Sequence, residues 1–388
     1  MPGAPPASAD PDRGRKEDRT VAAERMRTLL EAAAAPSGFL PFDQFMALAL
    51  YAPEVGFYAR RASPLGPEGD FYTSAHVHPV FGASIAAHLK AVRRTLEPGR
   101  PFRLVELGPG DGTLARSILT ALGPSPEGSG PLEYVLVDRS PRRAATAFER
   151  AEPAARAAGA ALTLSASVGA DGPFEGAVIA NEVLDAQPCR RLRWAEGRWR
   201  ELGIRLVHGR PVPAEAALTR PVPPPDLPAT PEEGLVFECS PGAESLVREV
   251  ADHLTAGAVL LLDYGMEEDE LVRGHPEGTL TALREHRTVP DPYEDPGAND
   301  LSAFVNFSRI RAAAARAGLE EVTYCSQTEA LAAWGISDLI AAEAARARSS
   351  EEEVRIRLAA KSLLFGFERF RLLELAPPAS ARAIRGVT

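Results

Sequence analysis

The sequence predicts an α/β fold in which helices cover both faces of a doubly wound parallel sheet. Three observations carry this expectation. From residue 101 onward, short apolar segments alternate with longer amphipathic ones, the pattern of strand–helix–strand units. A glycine-rich turn joins the first such strand directly to a helix. Ala258–Leu262 is apolar throughout, as a strand buried on both faces must be.

The elements follow in order. Residues 1–20 are rich in Pro, Ala, Gly and charge and read as an unstructured tail. A helical N-terminal region spans residues 21–100, with helices over Val21–Ala35, Phe42–Tyr51 and Val80–Leu96. The sheet begins in the core segment 101–190 with strands at Phe102–Leu107, Tyr134–Val137, Ala161–Leu164 and Gly176–Ala180. Helices fill Leu114–Leu122 and the stretch opened by Ser140-Pro141, a cap followed by a first-turn proline. Residues 191–231 form an insert in which Trp194 and Trp199 mark a hairpin. Eight prolines between Pro211 and Pro231 then exclude a helix or a central strand. The core is expected to resume over 232–265, with strands at Leu235–Phe237 and Ala258–Leu262. Residues 266–345 form a second insert, with an irregular loop over Val289–Asn299 and helices over Ser308–Ala317 and Gln327–Ala345. The segment 346–388 packs back as a helix and then a strand.

Composition narrows the function. The 388 residues carry 53 acids and 43 bases, a net charge of −10, which argues against a general nucleic-acid binder. The three cysteines, Cys189, Cys239 and Cys325, are too far apart to suggest a metal knuckle or a disulfide framework. His76 and His78 form an H-x-H pair without further ligands nearby, so no metal is expected. No apolar run approaches the roughly 20 residues of a membrane helix. Asp10, Asp12, Glu17 and Asp18 speak against a secretory signal or a mitochondrial leader. A cytoplasmic location without membrane or nucleic-acid partners is the expectation.

The chemistry gathers at strand ends. Glu106-Leu107-Gly108-Pro109-Gly110-Asp111-Gly112-Thr113 follows the first strand and opens a helix. Its spacing is G-x-G-x-G, whereas a dinucleotide turn needs a third glycine where Thr113 stands. No G-K-[ST] follows, so a phosphate loop is excluded. The pattern suits a ligand with an ammonium-bearing amino acid end and no pyrophosphate. Asp138 closes the next strand, where a carboxylate can accept both hydroxyls of an adenosine ribose. Asn181-Glu182-Val183-Leu184-Asp185 ends the fourth strand, and one helical turn would place Glu182 and Asp185 on a common face. Asp263-Tyr264-Gly265 ends the strand after Gly257 at the same sheet edge. Gly69–Ser74 and the stretch from Asp295 to Phe307 are polar loops beside aromatic residues and are candidate lids.

In this order the segments resemble the MidA family of S-adenosylmethionine-dependent methyltransferases, whose mitochondrial members act on an arginine of a complex I subunit. The matching stretches are Gly69–Thr73, Phe81-Gly82, Glu106–Thr113, Asp138–Pro141, Asn181–Pro188, Asp263–Gly265, Gly278–Leu280, Arg284–His286, Asp300–Ser302 and Phe307. The resemblance implies a Rossmann-like class I methyltransferase sheet with an inserted substrate or lid region. It implies S-adenosylmethionine as cofactor, held by Thr73, Glu106, Gly108, Gly110, Gly112, Asp138 and Asn181. Glu182, Asp185 and Tyr264 are then the catalytic candidates, the two carboxylates gripping an arginine that is never neutral at working pH. Two departures stand out. Gln187 replaces a family Leu, and Ser302-Ala303-Phe304-Val305-Asn306-Phe307 replaces a Thr-Ala-His-Val-Asp-Phe pattern. The acceptor is therefore a protein arginine or, alternatively, an oxygen on a small natural product. A third alternative is an assembly factor that binds cofactor without turnover. A homodimer is compatible with all three.

Overall fold

The computed structural model describes residues 11–60, 73–222, 227–229, 231–285 and 287–387, with side chains from Thr20 onward. The motif residues Gly69–Tyr72 and His286 lie outside the described residues.

Seven strands build the central sheet, numbered here in chain order: β1 (Phe102–Leu107), β2 (Leu132–Val137), β3 (Ala161–Ser165), β4 (Phe174–Asn181), β5 (Leu254–Met266), β6 (Glu320–Ser326) and β7 (Phe370–Ala376). Their order across the sheet is β3-β2-β1-β4-β5-β7-β6, with Val305–Asn306 added beside the end of β5. The strands from β3 to β5 are parallel, and only β7 runs against its neighbours. The chain reverses its winding between β1 and β4, where an open α/β sheet forms its ligand crevice at the carboxyl ends of the strands.

Both faces of this sheet are buried. Leu104, Ile179 and Leu260 pack under the helices Val80–Arg94, Thr113–Leu122 and Pro141–Ala158. Val105, Val178 and Val259 face the helices Pro241–His253 and Phe307–Arg316. Adjacent residues of one strand point to opposite faces, so continuous apolar runs are what this burial requires.

The sequence places several boundaries well, including Phe42–Tyr51 and Phe102–Leu107. Four expectations need correction. The first helix begins at Pro11, so residues 11–20 are helical rather than a tail; proline is accommodated in a first turn. Val236–Cys239 does not join the central sheet. It pairs with Arg190–Ala195 in an antiparallel accessory sheet that also contains Arg198–Val207, Arg210–Ala217 and Leu40–Pro41. Arg210–Ala217 forms despite Pro211 and Pro213, because among the described residues it is an edge strand bonded on one side only. β6 lies in the central sheet although its residues were expected within the second insert. Finally, Gly335, with φ of 78°, divides the expected helix Gln327–Ala345 in two.

The accessory sheet, the helix Phe42–Tyr51 and the second insert share a third core around Phe42, Phe45 and Tyr293. Arg190 and Glu201 are both fully buried there and pair bidentately at 2.8 and 3.1 Å. The insert is thus a fixed wall beside the strand ends rather than a loose excursion.

A candidate methyl-transfer site at the carboxyl ends of the strands

The turn after β1 owes its shape to its glycines. Gly108 and Gly110 both have φ of 59°, and Gly112 has φ of 82°, a region other residues enter at a cost. A Cβ on Gly108 would lie 2.9 Å from Val183, and one on Gly112 would lie 2.4 Å from the carbonyl oxygen of Ala147. Gly112 thus lets the Thr113–Leu122 helix pack against its neighbour. It is not among the residues that line the cavity, and its packing against Ala147 is what the structure shows of it.

A cavity of about 830 Å³ opens beside this turn, within the size range of small-molecule sites. Glu106, Gly108, Gly110, Asp138, Asn181, Glu182 and Thr73 all line it. The glycine turn and the carboxylate one strand over therefore face one space. Glu106 is buried and accepts a hydrogen bond from the Tyr134 hydroxyl at 2.7 Å. Burial pushes its carboxyl up to about 7, and a neighbouring ammonium would reverse that. Asp138 accepts the Ser140 N–H at 2.8 Å and has the Arg143 guanidinium 3.5 Å away. The Asn181 side-chain oxygen is buried and makes no hydrogen bond among the described residues.

One charged cluster beneath the turn had no sequence signal. Asp111 pairs with Arg150 at 2.7 Å and with His76 at 3.2 Å, and Thr73 bonds the other nitrogen of His76 at 2.9 Å. Burial would raise Asp111, but the hydrogen bond and charge of His76 and the bonds from Thr113 outweigh it and hold the carboxyl at about 2. His76 thus ties the segment containing Thr73 to the glycine turn. Its spacing to His78 suggested only an incomplete metal pair.

The second group of residues lies past the end of β4. Residues 182–187 form turns rather than a helix, and Glu182 has φ of 55°. Asp263 shapes this loop by accepting the N–H groups of Val183, Leu184 and Asp185 at 3.1, 2.8 and 3.3 Å. Glu182 consequently faces the cavity and accepts hydrogen bonds from the Ser74 N–H and the Asn181 amide, both at 3.2 Å. Asp185 does not line the cavity, so the expected common helical face is corrected. It turns instead toward Tyr264, whose hydroxyl pKa is raised by burial first and then by the charge of Asp185. Tyr264 is likewise off the cavity wall, against Phe304 and Phe370.

Burial dominates the electrostatics here. It raises Glu182 to about 8, with the charge of Asp185 adding to the effect. It raises Asp185 to about 6 against the hydrogen bond from Tyr264. Asp300 rises to about 8 for the same reason, with Asp185 again adding. Carboxyls so disposed take up a cation readily, because its charge reverses the cost of ionising them.

Tyr51 and Tyr58 also line the cavity. The Tyr51 hydroxyl donates to the Ala186 carbonyl at 2.8 Å, and the Tyr58 hydroxyl to Asp300 at 3.0 Å. Gln187 lies at the same end, its amide N–H₂ donating to the Val183 carbonyl at 3.1 Å. The departures at Phe304 and Asn306 do not reach the cavity. Phe304 packs on Tyr264 and His275. Asn306 caps the following helix and donates to Glu268 at 3.0 Å.

Comparison with known proteins agrees with this geometry. The model of the Methyltransf_28 family, described as S-adenosyl-L-methionine-dependent methyltransferases, matches residues 84–325. A COG1565 superfamily member from Burkholderia thailandensis, solved bound to S-adenosyl-homocysteine, superposes with a TM-score of 0.81 at 28% identity, covering 96% of this chain and 95% of that one. The mitochondrial protein arginine methyltransferase NDUFAF7 homolog of Drosophila melanogaster is 28% identical over 312 residues, or 71% of this chain. The human protein arginine methyltransferase NDUFAF7 is 27% identical over 304 residues. The chain spans 66% and 65% of the length of these two relatives. The glycine turn, the buried Glu106, the free Asn181 oxygen and Asp138 fit the amino acid and ribose ends of S-adenosyl-L-methionine. The chain belongs to the Methyltransf_28, or MidA, family of S-adenosyl-L-methionine-dependent methyltransferases.

Proposed function

We propose that this enzyme methylates the guanidinium of a protein arginine. The supporting observation is Glu182, a half-buried carboxyl that desolvation raises to about 8, lodged on the wall of the cavity that holds the glycine turn. The names of the curated relatives support the same reading.

Bound S-adenosyl-L-methionine supplies an electrophilic methyl carbon on a sulfonium. The chain has to present a nucleophilic nitrogen in line with it, and positioning is the larger part of that work. The backbone of Gly108 and Gly110 and the carboxylate of Asp138 would fix the donor's two ends. Glu182 accepts hydrogen bonds from the guanidinium and thereby orients its attacking nitrogen. As the nitrogen–carbon bond forms and the sulfur–carbon bond breaks, that nitrogen loses a proton to Glu182. A carboxyl that titrates near the working pH suits this exchange.

The test is a labelled-donor assay on a peptide array in which each arginine is paired with a lysine control. Label confined to arginine peptides is expected. Label that appears only on small-molecule fractions, on oxygen, would overturn the reading.

A further inference from the structure

Of the three arginines in Asp138-Arg139-Ser140-Pro141-Arg142-Arg143, only the last is buried. The Ser140 cap helps to set this, because its hydroxyl accepts the Arg143 N–H at 3.4 Å and fixes where the helix Pro141–Ala158 begins. Arg143 is 8% exposed. Its Nε is buried and makes no hydrogen bond among the described residues. A buried donor left this way costs free energy until an acceptor reaches it.

The surroundings indicate which acceptor that is. Arg143, Asp138 and Tyr58 all line the cavity. One Asp138 oxygen stands 3.5 Å from the Arg143 Nε, longer than a hydrogen bond. The other accepts the Ser140 N–H at 2.8 Å. The Tyr58 ring centroid lies 4.7 Å from the guanidinium carbon. Stacking uses a face of that group, and its N–H groups still point outward in its plane. A set of donors and a set of acceptors thus stand side by side on one wall. Arg139 and Arg142 line the same cavity but are exposed, so water meets their donors.

Ribose hydroxyls need both sets. Each has one hydrogen to give and lone pairs to fill. A carboxylate takes the hydrogens and does nothing for the oxygens. We propose that Arg143 is a cofactor-binding residue, the donor half of a ribose clamp whose acceptor half is Asp138. Its guanidinium donates to a hydroxyl oxygen of bound S-adenosyl-L-methionine, while Asp138 accepts from the hydroxyl hydrogens.

The clamp makes the site selective for an intact sugar. A ligand without the hydroxyl that Arg143 serves leaves a buried charged donor unpaired, which is how a polar site rejects an analogue lacking one polar group. A residue that only packed the helix against Tyr58 would make no such distinction. The assignment concerns the cofactor alone and holds whatever the methyl acceptor is, so it stands or falls separately from the arginine-directed reading.

The test is calorimetry on the full chain with S-adenosylhomocysteine and its 2′-deoxy and 3′-deoxy analogues. Arg143→Met, which keeps an unbranched stem, should weaken S-adenosylhomocysteine about 10- to 100-fold, the loss of a charged hydrogen bond. It should weaken at least one deoxy analogue by less than threefold, because the oxygen it served is already gone. Arg143→Gln, shorter and neutral, repeats the comparison, so a folding defect in one variant does not remove the test. In an Asp138→Ala background, Arg143→Met should still cost S-adenosylhomocysteine at least threefold. Equal weakening of all three ligands, or S-adenosylhomocysteine affinity within twofold of the parent, overturns the clamp. No further loss in the Asp138→Ala background would make Arg143 only a holder of Asp138 and overturn direct donation.

Discussion

The two ends of the site are built differently. The cofactor end is local: Glu106 through Thr113 and Asp138 are the last residues of β1 and β2 and the turns that follow them. Backbone conformation does most of the work there, through glycines at positive φ. The other end draws on distant parts of the chain: Tyr51, Tyr58 and Glu182 line the cavity, Asp300 accepts from Tyr58, and Asp263 accepts from the loop after Glu182. Side-chain burial does the work there, by raising carboxyls. A site held by backbone shape should lose binding when its turn is altered. A site held by buried charge should lose turnover and change its pH response.

The largest separation between the two ends is expected at Glu182. Glu182→Gln should lower kcat by about 10²- to 10⁴-fold, the usual contribution of a positioned base, with S-adenosylhomocysteine affinity unchanged by calorimetry. A variant that turned over normally would remove Glu182 from the mechanism.

The same residue has a signature in stability. Its folded carboxyl titrates at about 8 against 4.5 in the open chain. The folded state therefore keeps a proton that the unfolded state releases, and stability should fall as pH rises from about 4.5 to about 8, by a few kcal/mol. Urea midpoints of the cofactor-free protein measured across that window should show the decline, and Glu182→Gln should make it shallower without removing it, because Glu106, Asp185 and Asp300 are raised in the same sense.

At the cofactor end, Gly112→Ala should reduce unfolding free energy by about 2–4 kcal/mol, since it combines strain at positive φ with a clash on the Ala147 carbonyl. Urea denaturation would reveal it, and an unchanged midpoint would contradict the packing role. Asp138→Ala should weaken S-adenosylhomocysteine about 10- to 100-fold, the loss of a charged acceptor of ribose hydroxyls. The smallest effect belongs to Asn306→Ala. It removes a helix cap worth about 1 kcal/mol and should leave S-adenosylhomocysteine affinity unchanged; a shift in the KM of the methyl acceptor would return this departure to the site.

The same contrast explains what the sequence made legible. The β1 turn and Asp138 are contiguous with their strands, so spacing alone pointed to them. Tyr58 and Asp300 are 242 positions apart, and no local pattern links them. Glu182 was visible as an acid at a strand end, but the helical spacing that paired it with Asp185 failed because Asp263 captures the intervening N–H groups into turns. β6 escaped because Glu320-Glu321-Val322-Thr323-Tyr324-Cys325-Ser326 is half-buried along its whole length and shows neither an apolar run nor alternation. Val236–Cys239 read as a core strand because strand propensity does not say which sheet a strand joins.

The edge strand Arg210–Ala217 has a consequence for the behaviour of the whole molecule in concentrated solution. Val207 and Val212 leave apolar surface beside its outer rim, and an open rim of that kind invites another chain to add a strand and begin a fibre. Pro211 and Pro213 have no N–H to offer a newcomer, so the accessory sheet carries its own terminator. Replacing both by residues that can donate would test whether colloidal behaviour, rather than catalysis, is what keeps prolines at this margin.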